Sequence, residues 1–232
     1  MNIDGRTALV TGAAIGTGRA ISLALAERGA RVIAADVDDD AGRQSKRRGG
    51  DAVQFVHLDV TDDGAVAALI RDTAPTILVN NAGGGAPVPW RWPDASPGQW
   101  TSTLEVNLLA PMRAAQLALP VMRAAGGGAV VNIASSAAYG REAHPWPEYA
   151  TAKAGLVRFT TSLRGFDERV RVNCLVPDWI ATERLTDAER SLDPPPIPLS
   201  HIAEQTLRLV SDDSLSGRVI ILDRGQAPEL LD

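Results

Sequence analysis

Thr7-Ala8-Leu9-Val10-Thr11-Gly12-Ala13-Ala14-Ile15-Gly16-Thr17-Gly18 is the stretch on which the fold turns. Thr7 to Val10 reads as a short buried strand, and the run then breaks into glycines at positions 12, 16 and 18. Residues 17–28 continue with helical period, Ile21, Leu25 and the alanines falling on one face. Glycines between a strand and a helix permit a tight turn and let backbone N–H groups approach a pyrophosphate at the helix N-terminus. Glycine also serves ordinary loops. What points to a dinucleotide is the position of this turn, after a first strand and opening a helix.

The next strand, residues 31–35, delivers Asp36, an acidic side chain about twenty residues past the glycines and so placed to bind the adenosine ribose hydroxyls. Asp38, Asp39 and Asp40 add negative potential that repels a 2′-phosphate, although Asp39 and Asp40 also suit the first turn of a helix. Ile15 supplies no cation for such a phosphate, while Arg19 and Arg43 are near in sequence. NAD is therefore favoured, with NADP as the alternative.

Working outward, further short apolar runs at 52–57, 76–79, 129–134, 170–176 and 218–222 alternate with stretches of helical period, the pattern of βαβ units around a parallel sheet. Ser96-Pro97 marks a helix start, a serine N-cap followed by proline, for a helix running to about residue 125 and bent at Pro111 and Pro120. Residues 149–165 and a segment near 200–210 read as further helices; a Gly/Pro/Trp-rich loop covers 83–98 and a proline-rich loop 193–198. With no repeat and no linker, residues 1–232 read as one doubly wound α/β domain. The net charge of −5 argues against a broad basic nucleic-acid face. No apolar run reaches the roughly 20 residues of a membrane span, and the first five residues do not begin a signal peptide, so a cytoplasmic protein is expected. One cysteine, Cys174, excludes a disulfide framework and reads as a small buried hydrophobe. Three scattered histidines, His57, His144 and His201, give no metal centre; His57 falls at a strand end, His201 at a helix start, and His144, with Arg141, on an exposed loop.

Lysine occurs only at positions 46 and 153 and tyrosine only at 139 and 149, yet Tyr149-Ala150-Thr151-Ala152-Lys153 places one of each four residues apart at a helix start, on one face. A phenol titrates near pH 10 and is a poor base at neutrality; an adjacent ammonium stabilises the phenolate. A fall of two to three pKa units is roughly 3–4 kcal/mol of differential stabilisation.

The segments TGAAIGTG (11–18), LDVTD (58–62), NNAG (80–83), EVN (105–107), VNIAS (131–135), YATAK (149–153) and RVNCLVP (171–177) together resemble the short-chain dehydrogenase/reductase superfamily over nearly the whole chain. The resemblance implies a Rossmann fold with a seven-stranded parallel sheet, order 3-2-1-4-5-6-7, and helices on both faces. It implies that Tyr149 exchanges a proton with the substrate oxygen, that Lys153 tunes the phenol and holds the cofactor ribose, and that a positively charged nicotinamide assists. Strand register makes Ser135 the serine that steadies the substrate oxygen, whereas the commoner family spacing of about thirteen residues favours Ser136. Asn107 matches an asparagine that holds a water in a proton relay. Gly12, Ile15, Gly16, Gly18 and Asp36 belong to the cofactor cradle. Asp59 and Val60 match the adenine contacts, and Asn80, Ala82 and Gly83 the segment beside the adenine ribose. Pro177, Ile180 and Thr182 match the segment that holds the carboxamide. A homodimer or homotetramer is implied as well.

The chain departs from the family pattern in four places. Thr17 stands between Gly16 and Gly18 where isoleucine is usual, Asp178 follows Pro177 where glycine is usual, and Asp223-Arg224-Gly225 stands where Asp-Gly-Gly is usual. The substrate lid, 183–201, is short. Trp90 and Trp92 in the loop after NNAG, Trp146 and Trp179 border the expected site and suggest a flat or apolar substrate, with a core or subunit contact as the alternative for the first two. The leading expectation is hydride transfer between NAD(H) and a secondary alcohol or carbonyl. An NADPH-dependent carbonyl reductase and a catalytically silent dinucleotide-binding protein are the alternatives.

Overall fold

The computed structural model describes residues 1–84, 93–140 and 144–231. β1 (Thr7–Thr11) leads into α1 (Gly16–Glu27), β2 (Arg31–Asp36) into α2 (Asp39–Gly49), and β3 (Val53–His57) into α3 (Asp63–Thr73). After β4 (Ile77–Asn80) come α4 (Pro97–Leu104), a π-helical turn (Glu105–Leu109) and α5 (Ala110–Ala124). The chain continues through β5 (Gly128–Ile133), α6 (Pro147–Ser162), β6 (Val170–Pro177), α7 (Asp187–Arg190), α8 (Leu199–Ser211), β7 (Val219–Leu222) and β8 (Glu229–Leu231). All eight strands join one sheet in the order β3-β2-β1-β4-β5-β6-β7-β8.

The inner strands are buried on both faces, so they carry continuous apolar runs rather than alternation. Side chains still divide with the two-residue period of a strand. Ala8 and Val10 face a layer that holds Ile21 and Leu25 of α1 with Ile202 and Leu209 of α8. Leu9 faces the opposite layer, with Val66 and Ile70 of α3 and Ala114, Ala118 and Met122 of α5. No helix among the described residues is long and apolar enough to cross a membrane.

The expected bend in the long helix has a defined form. Ser96 starts α4 through a reciprocal capping box with Gln99. The ladder then widens to π geometry over Glu105–Leu109, immediately before Pro111. Pro111 has no N–H for the Asn107 carbonyl one turn earlier, so the α register cannot pass this point unchanged. Pro120, by contrast, lies inside α5 without ending it.

The expected seven-stranded, all-parallel sheet is corrected at its last edge. A turn carried by Gly225 (φ +72) returns the chain, and Glu229–Leu231 pairs antiparallel with β7 as an eighth strand, Ile220 opposite Leu230. Three residues are too few to show a period, so this strand exists through its partner.

A buried polar chain joins the layers beneath the site. The Asn80 amide donates to Asn132 Oδ1 (2.9 Å) and to the Pro111 carbonyl (3.1 Å). Asn132 Nδ2 in turn donates to Thr160 Oγ1 (3.0 Å). β4, β5, α5 and α6 are thus held in one register by groups that cannot reach water. Replacing Asn132 by Ala strands the Asn80 donor, and with the lost volume it should cost about 2–4 kcal/mol in urea-induced unfolding; a cost below about 1 kcal/mol would refute this role.

Candidate active site

Loops at the C-terminal ends of β1, β4, β5 and β6 converge on one edge of the sheet, where α/β folds bind their ligands. The three glycines of the first loop divide their work. A Cβ on Gly18 would lie 2.1 Å from the Gly12 carbonyl oxygen, and one on Gly12 (φ +64) 2.7 Å from Ala82 Cα. These two therefore serve close packing. Gly16 (φ +52) faces across the cleft instead, toward Thr182. The α1 N-cap is Ile15, which has no side-chain acceptor, and the first turn holds no acidic residue. The first N–H groups of α1 are thus open to an anion. This cradle fits a dinucleotide diphosphate.

Its shape is held by a residue outside the sequence expectation. Asn81 Nδ2 donates to the carbonyls of Thr11 (3.0 Å) and Gly12 (2.9 Å), while Thr11 Oγ1 accepts from the amides of Asn81 and Ala82, each at 3.1 Å. The structure commits Asn80 to the polar chain in the core and gives the cleft wall to its neighbour. Alternation along a strand end separates the two asparagines, a distinction visible only with the strand's last residue fixed.

At the far end of the cradle Asp36 Oδ2 accepts from the Ala14 amide (2.8 Å) and Oδ1 from the Asp38 amide (3.1 Å). The carboxylate is fixed beside the glycine loop, where ribose hydroxyls can reach it. The nearby cations are already engaged. Arg19 is buried and bonds the Ala14 carbonyl, Ser45 and Glu183; Arg43 pairs with Asp40 and Asp39. Asp59 holds its own turn, Oδ1 accepting from the Thr61 amide (2.9 Å) and hydroxyl (2.8 Å), bonds that lower its pKa. Val60 lines an apolar recess with Leu58, Ala82 and Val106.

On the catalytic side, the Ser135 side chain acts on Tyr149 to lower its pKa, and Lys153 Nζ lies 5.7 Å from the Tyr149 ring centre. Lys153 is buried and donates to the Ile133 carbonyl at 2.9 Å. Ser136 turns away, its hydroxyl donating to Asp178 Oδ1 at 3.3 Å. Of the two serines the sequence offers, Ser135 is the one that meets Tyr149. The Asn107 side chain clasps Gly84, Oδ1 accepting from its amide (3.0 Å) and Nδ2 donating to its carbonyl (3.3 Å). A Cβ on Gly83 would stand 2.4 Å from Asn107 Oδ1 and 3.5 Å from Lys153 Nζ, so glycine at 83 lets the two meet.

The protonation pattern differs from the expected lowered phenol. Burial raises the Tyr149 pKa above 10.0, and the Ser135 hydrogen bond only partly opposes this. Burial also pushes Lys153 down to about 8. A charge that is itself desolvated and directed at a carbonyl supports the phenolate only in part.

His144, expected on an exposed loop, instead stacks on Tyr149 with ring centres 5.9 Å apart and stands 5.8 Å from Trp146. Its Nδ1 accepts from the Trp146 amide at 3.1 Å. Five residues of separation across a proline-containing turn gave no helical spacing by which to pair His144 with Tyr149. Trp179 is 44% exposed beside the site; Trp90, Trp92 and Arg141 lie outside the described residues.

Two of the departures explain each other. Arg224 Nε donates to Asp178 Oδ2 at 2.6 Å, and its Nη1 to the Pro194 carbonyl at 2.9 Å. Asp178 keeps a negative φ, since Ala74 is the one non-glycine residue with positive φ among those described. The backbone therefore needs no glycine there, and the carboxylate has a cation where the usual pattern has a second glycine. The segment 183–201 is built onto this corner. Ile197 donates to the Trp179 carbonyl (2.8 Å) and accepts from the Ala181 amide (2.9 Å), bridging Ile180 to the proline-rich loop.

The short chain dehydrogenase family matches residues 6–193. The 7alpha-hydroxysteroid dehydrogenase of Escherichia coli (strain K12) is 31% identical, the alignment covering 99% of this chain and 97% of the relative. The cis-4-hydroxycyclohexanecarboxylate dehydrogenase of Sinomonas cyclohexanicum is 36% identical over 76% of this chain and 74% of its own. Among solved structures, a short-chain dehydrogenase/reductase from Burkholderia xenovorans superposes with a TM-score of 0.87 at 33% identity over 97% of both chains.

Two measurements follow from the geometry. With only Lys46 and Lys153 in the chain, side-chain NMR of labelled lysine should show one of two resonances titrating near pH 8 in the cofactor-free protein. The folded protein then binds fewer protons than the unfolded chain between about 8 and 10.5. Relative to Lys153→Met, the wild type should therefore gain stability as pH rises through that window. In a double-mutant cycle, Asp178→Gly alone should destabilise by leaving Arg224 without its carboxylate. Asp178→Gly with Arg224→Gly should recover part of the loss, for a coupling of about 1 kcal/mol; strictly additive effects would refute the pairing.

Proposed function

The chain belongs to the short-chain dehydrogenase family, and from that premise we propose that it is an NAD-dependent oxidoreductase acting on a secondary alcohol or its ketone. The observation that carries this reading is the buried Lys153 ammonium 5.7 Å from the Tyr149 ring, with Ser135 acting on the same phenol. The bound dinucleotide supplies the hydride acceptor, or donor in reverse, and a positive charge in its oxidised form. The cradle of Gly12, Ile15, Gly16 and Gly18 would hold its diphosphate, Asp36 its adenosine ribose, the Leu58–Val60 recess with Ala82 its adenine, and Pro177, Ile180 and Thr182 its carboxamide end.

Within that frame each residue has one task. Ser135 donates to the substrate oxygen and fixes it opposite Tyr149. Tyr149 Oη takes the alcohol proton during oxidation and returns it during reduction. Lys153, mostly protonated at neutral pH with its pKa near 8, favours the phenolate. Because burial keeps the phenol protonated in the free protein, the site begins as a proton donor. Proton abstraction depends on the positive charge that oxidised cofactor adds. Asn107 acts on Gly83–Gly84, shaping the wall beside Lys153.

NAD over NADP is supported by the fixed Asp36 carboxylate, by the bonds that hold Arg19 to the Ala14 carbonyl and Ser45, and by the pairing of Arg43 with Asp40. On the substrate side, the alcohols in the names of both relatives sit on saturated rings. Trp179 and Trp146 offer apolar walls suited to such a ring. A cyclic secondary alcohol is therefore the substrate class to try first.

Titration by tryptophan quenching and nicotinamide emission should show NADH binding at least tenfold tighter than NADPH, with Asp36→Ala shrinking that ratio. Equal or reversed affinities would overturn the choice of cofactor. Against a panel of cyclic secondary alcohols with NAD, Tyr149→Phe should lower turnover by about 10²–10⁴-fold. Full activity in that variant would remove Tyr149 from the chemistry.

A further inference from the structure

The nearest groups facing the bare Cα of Gly16 come from the segment after β6. A Cβ at Gly16 would lie 3.3 Å from Thr182 Cγ2 and 3.5 Å from Glu183 Oε2. The other Glu183 oxygen, Oε1, is 3.2 Å from Arg19 Nη1. A carboxylate thus sits at the mouth of the α1 N-terminus, on the side a diphosphate must approach. The two partners are unequally held. Arg19 is buried and anchored by the Ala14 carbonyl and Ser45, whereas the Glu183 side chain is 52% exposed. Glu183 is the member free to leave.

Its neighbour carries the opposite charge to the opposite wall. Arg184 Nη1 lies 3.7 Å from where a Cβ of Gly84 would stand, across the cleft from Gly16. Arg190 Nη2 donates to the carbonyls of Thr182 (3.2 Å) and Glu183 (3.4 Å), holding the segment's backbone in place.

We propose that Glu183 occupies, in the free protein, the place of a cofactor phosphate and so sets dinucleotide affinity downward, while Arg184 is a phosphate-binding residue of the same site that sets it upward. On binding, the carboxylate releases Arg19 Nη1 to the diphosphate and moves to solvent, and Arg184 closes on the anion from the Gly84 side. No bond is made or broken; one ion pair is exchanged for another. This rests on the cofactor reading above, and it concerns the strength of binding rather than the choice between NAD and NADP.

The test is an NADH fluorescence titration of the wild type, Glu183→Gln and Arg184→Gln, with ADP-ribose and adenosine as competitors. Glu183→Gln removes a like charge beside the diphosphate and should tighten NADH and ADP-ribose by about 3–10-fold, leaving adenosine, which has no phosphate, unchanged. Arg184→Gln should weaken NADH and ADP-ribose several-fold and again spare adenosine. Unchanged or weaker NADH binding by Glu183→Gln overturns the role of Glu183, and unchanged NADH binding by Arg184→Gln that of Arg184. Equal tightening of adenosine and ADP-ribose shows a general opening of the cleft and also overturns the proposal. Binding of NADH by none of the three proteins removes the cofactor reading itself, which separates that failure from this one.

Discussion

The Lys153 ammonium, held against the Ile133 carbonyl at 2.9 Å, is the constraint around which the catalytic end is arranged. A buried cation is costly unless every approach to it is ordered, and the cost shows in a pKa pushed down to about 8. The bond fastens α6 to the end of β5. Tyr149, one helical turn earlier, and Ser135, two residues beyond Ile133, are thereby brought to face each other. On a third side lies Gly83, where any side chain would enter the space of Asn107 and come into contact with the ammonium. Substitutions far from the substrate at 83, 107 or 133 thus act on the same group.

The same economy explains why the chain tolerates its unusual corner. Glycine after Pro177 would leave a backbone turn without side chains; here Asp178, Arg224 and Ser136 form one charged and hydrogen-bonded unit instead. Arg224 also reaches Pro194, so the turn before β8, the lid and the end of β6 are joined through one guanidinium. Residues 183–201 add little to the core beyond Ile197, and this unit supplies fixed points for them. Ser136, spent on Asp178, leaves Ser135 as the hydroxyl available to the reacting oxygen.

What was legible in the sequence follows from the range of the interactions. β1, β4, β5 and β6 are buried on both faces, and their apolar runs announce them without reference to any partner. The Ser96 start and the Tyr149–Lys153 pair are equally local, set by capping and by the helical period. β8 carries no pattern of its own and exists through β7. Asn81 and Asn80 exchange roles by one step of strand alternation, and His144 reaches Tyr149 around a turn. Asp178 and Arg224 stand 46 positions apart; each reads alone as a departure, and only the fold makes them a pair. Local rules therefore sufficed for the scaffold and the central pair, while the walls of the site depend on contacts that no period encodes.

Charge placement links these walls to the chemistry. The free cleft holds a phenol raised by burial, an ammonium lowered by it, and a carboxylate, Glu183, at the helix end where an anion belongs. Each group is in a state that suits a cleft without ligand: the phenol uncharged, the cation desolvated, and a carboxylate paired with Arg19 beside the helix terminus. A dinucleotide in its oxidised form reverses these demands at both ends. Its diphosphate competes directly with Glu183, and its positive ring offers the phenolate the counter-charge that Lys153, committed to Ile133, supplies only in part. On that proposal binding and activation of the base would be coupled: the diphosphate would displace the carboxylate, and the separate positive charge of the oxidised ring would raise the share of phenolate.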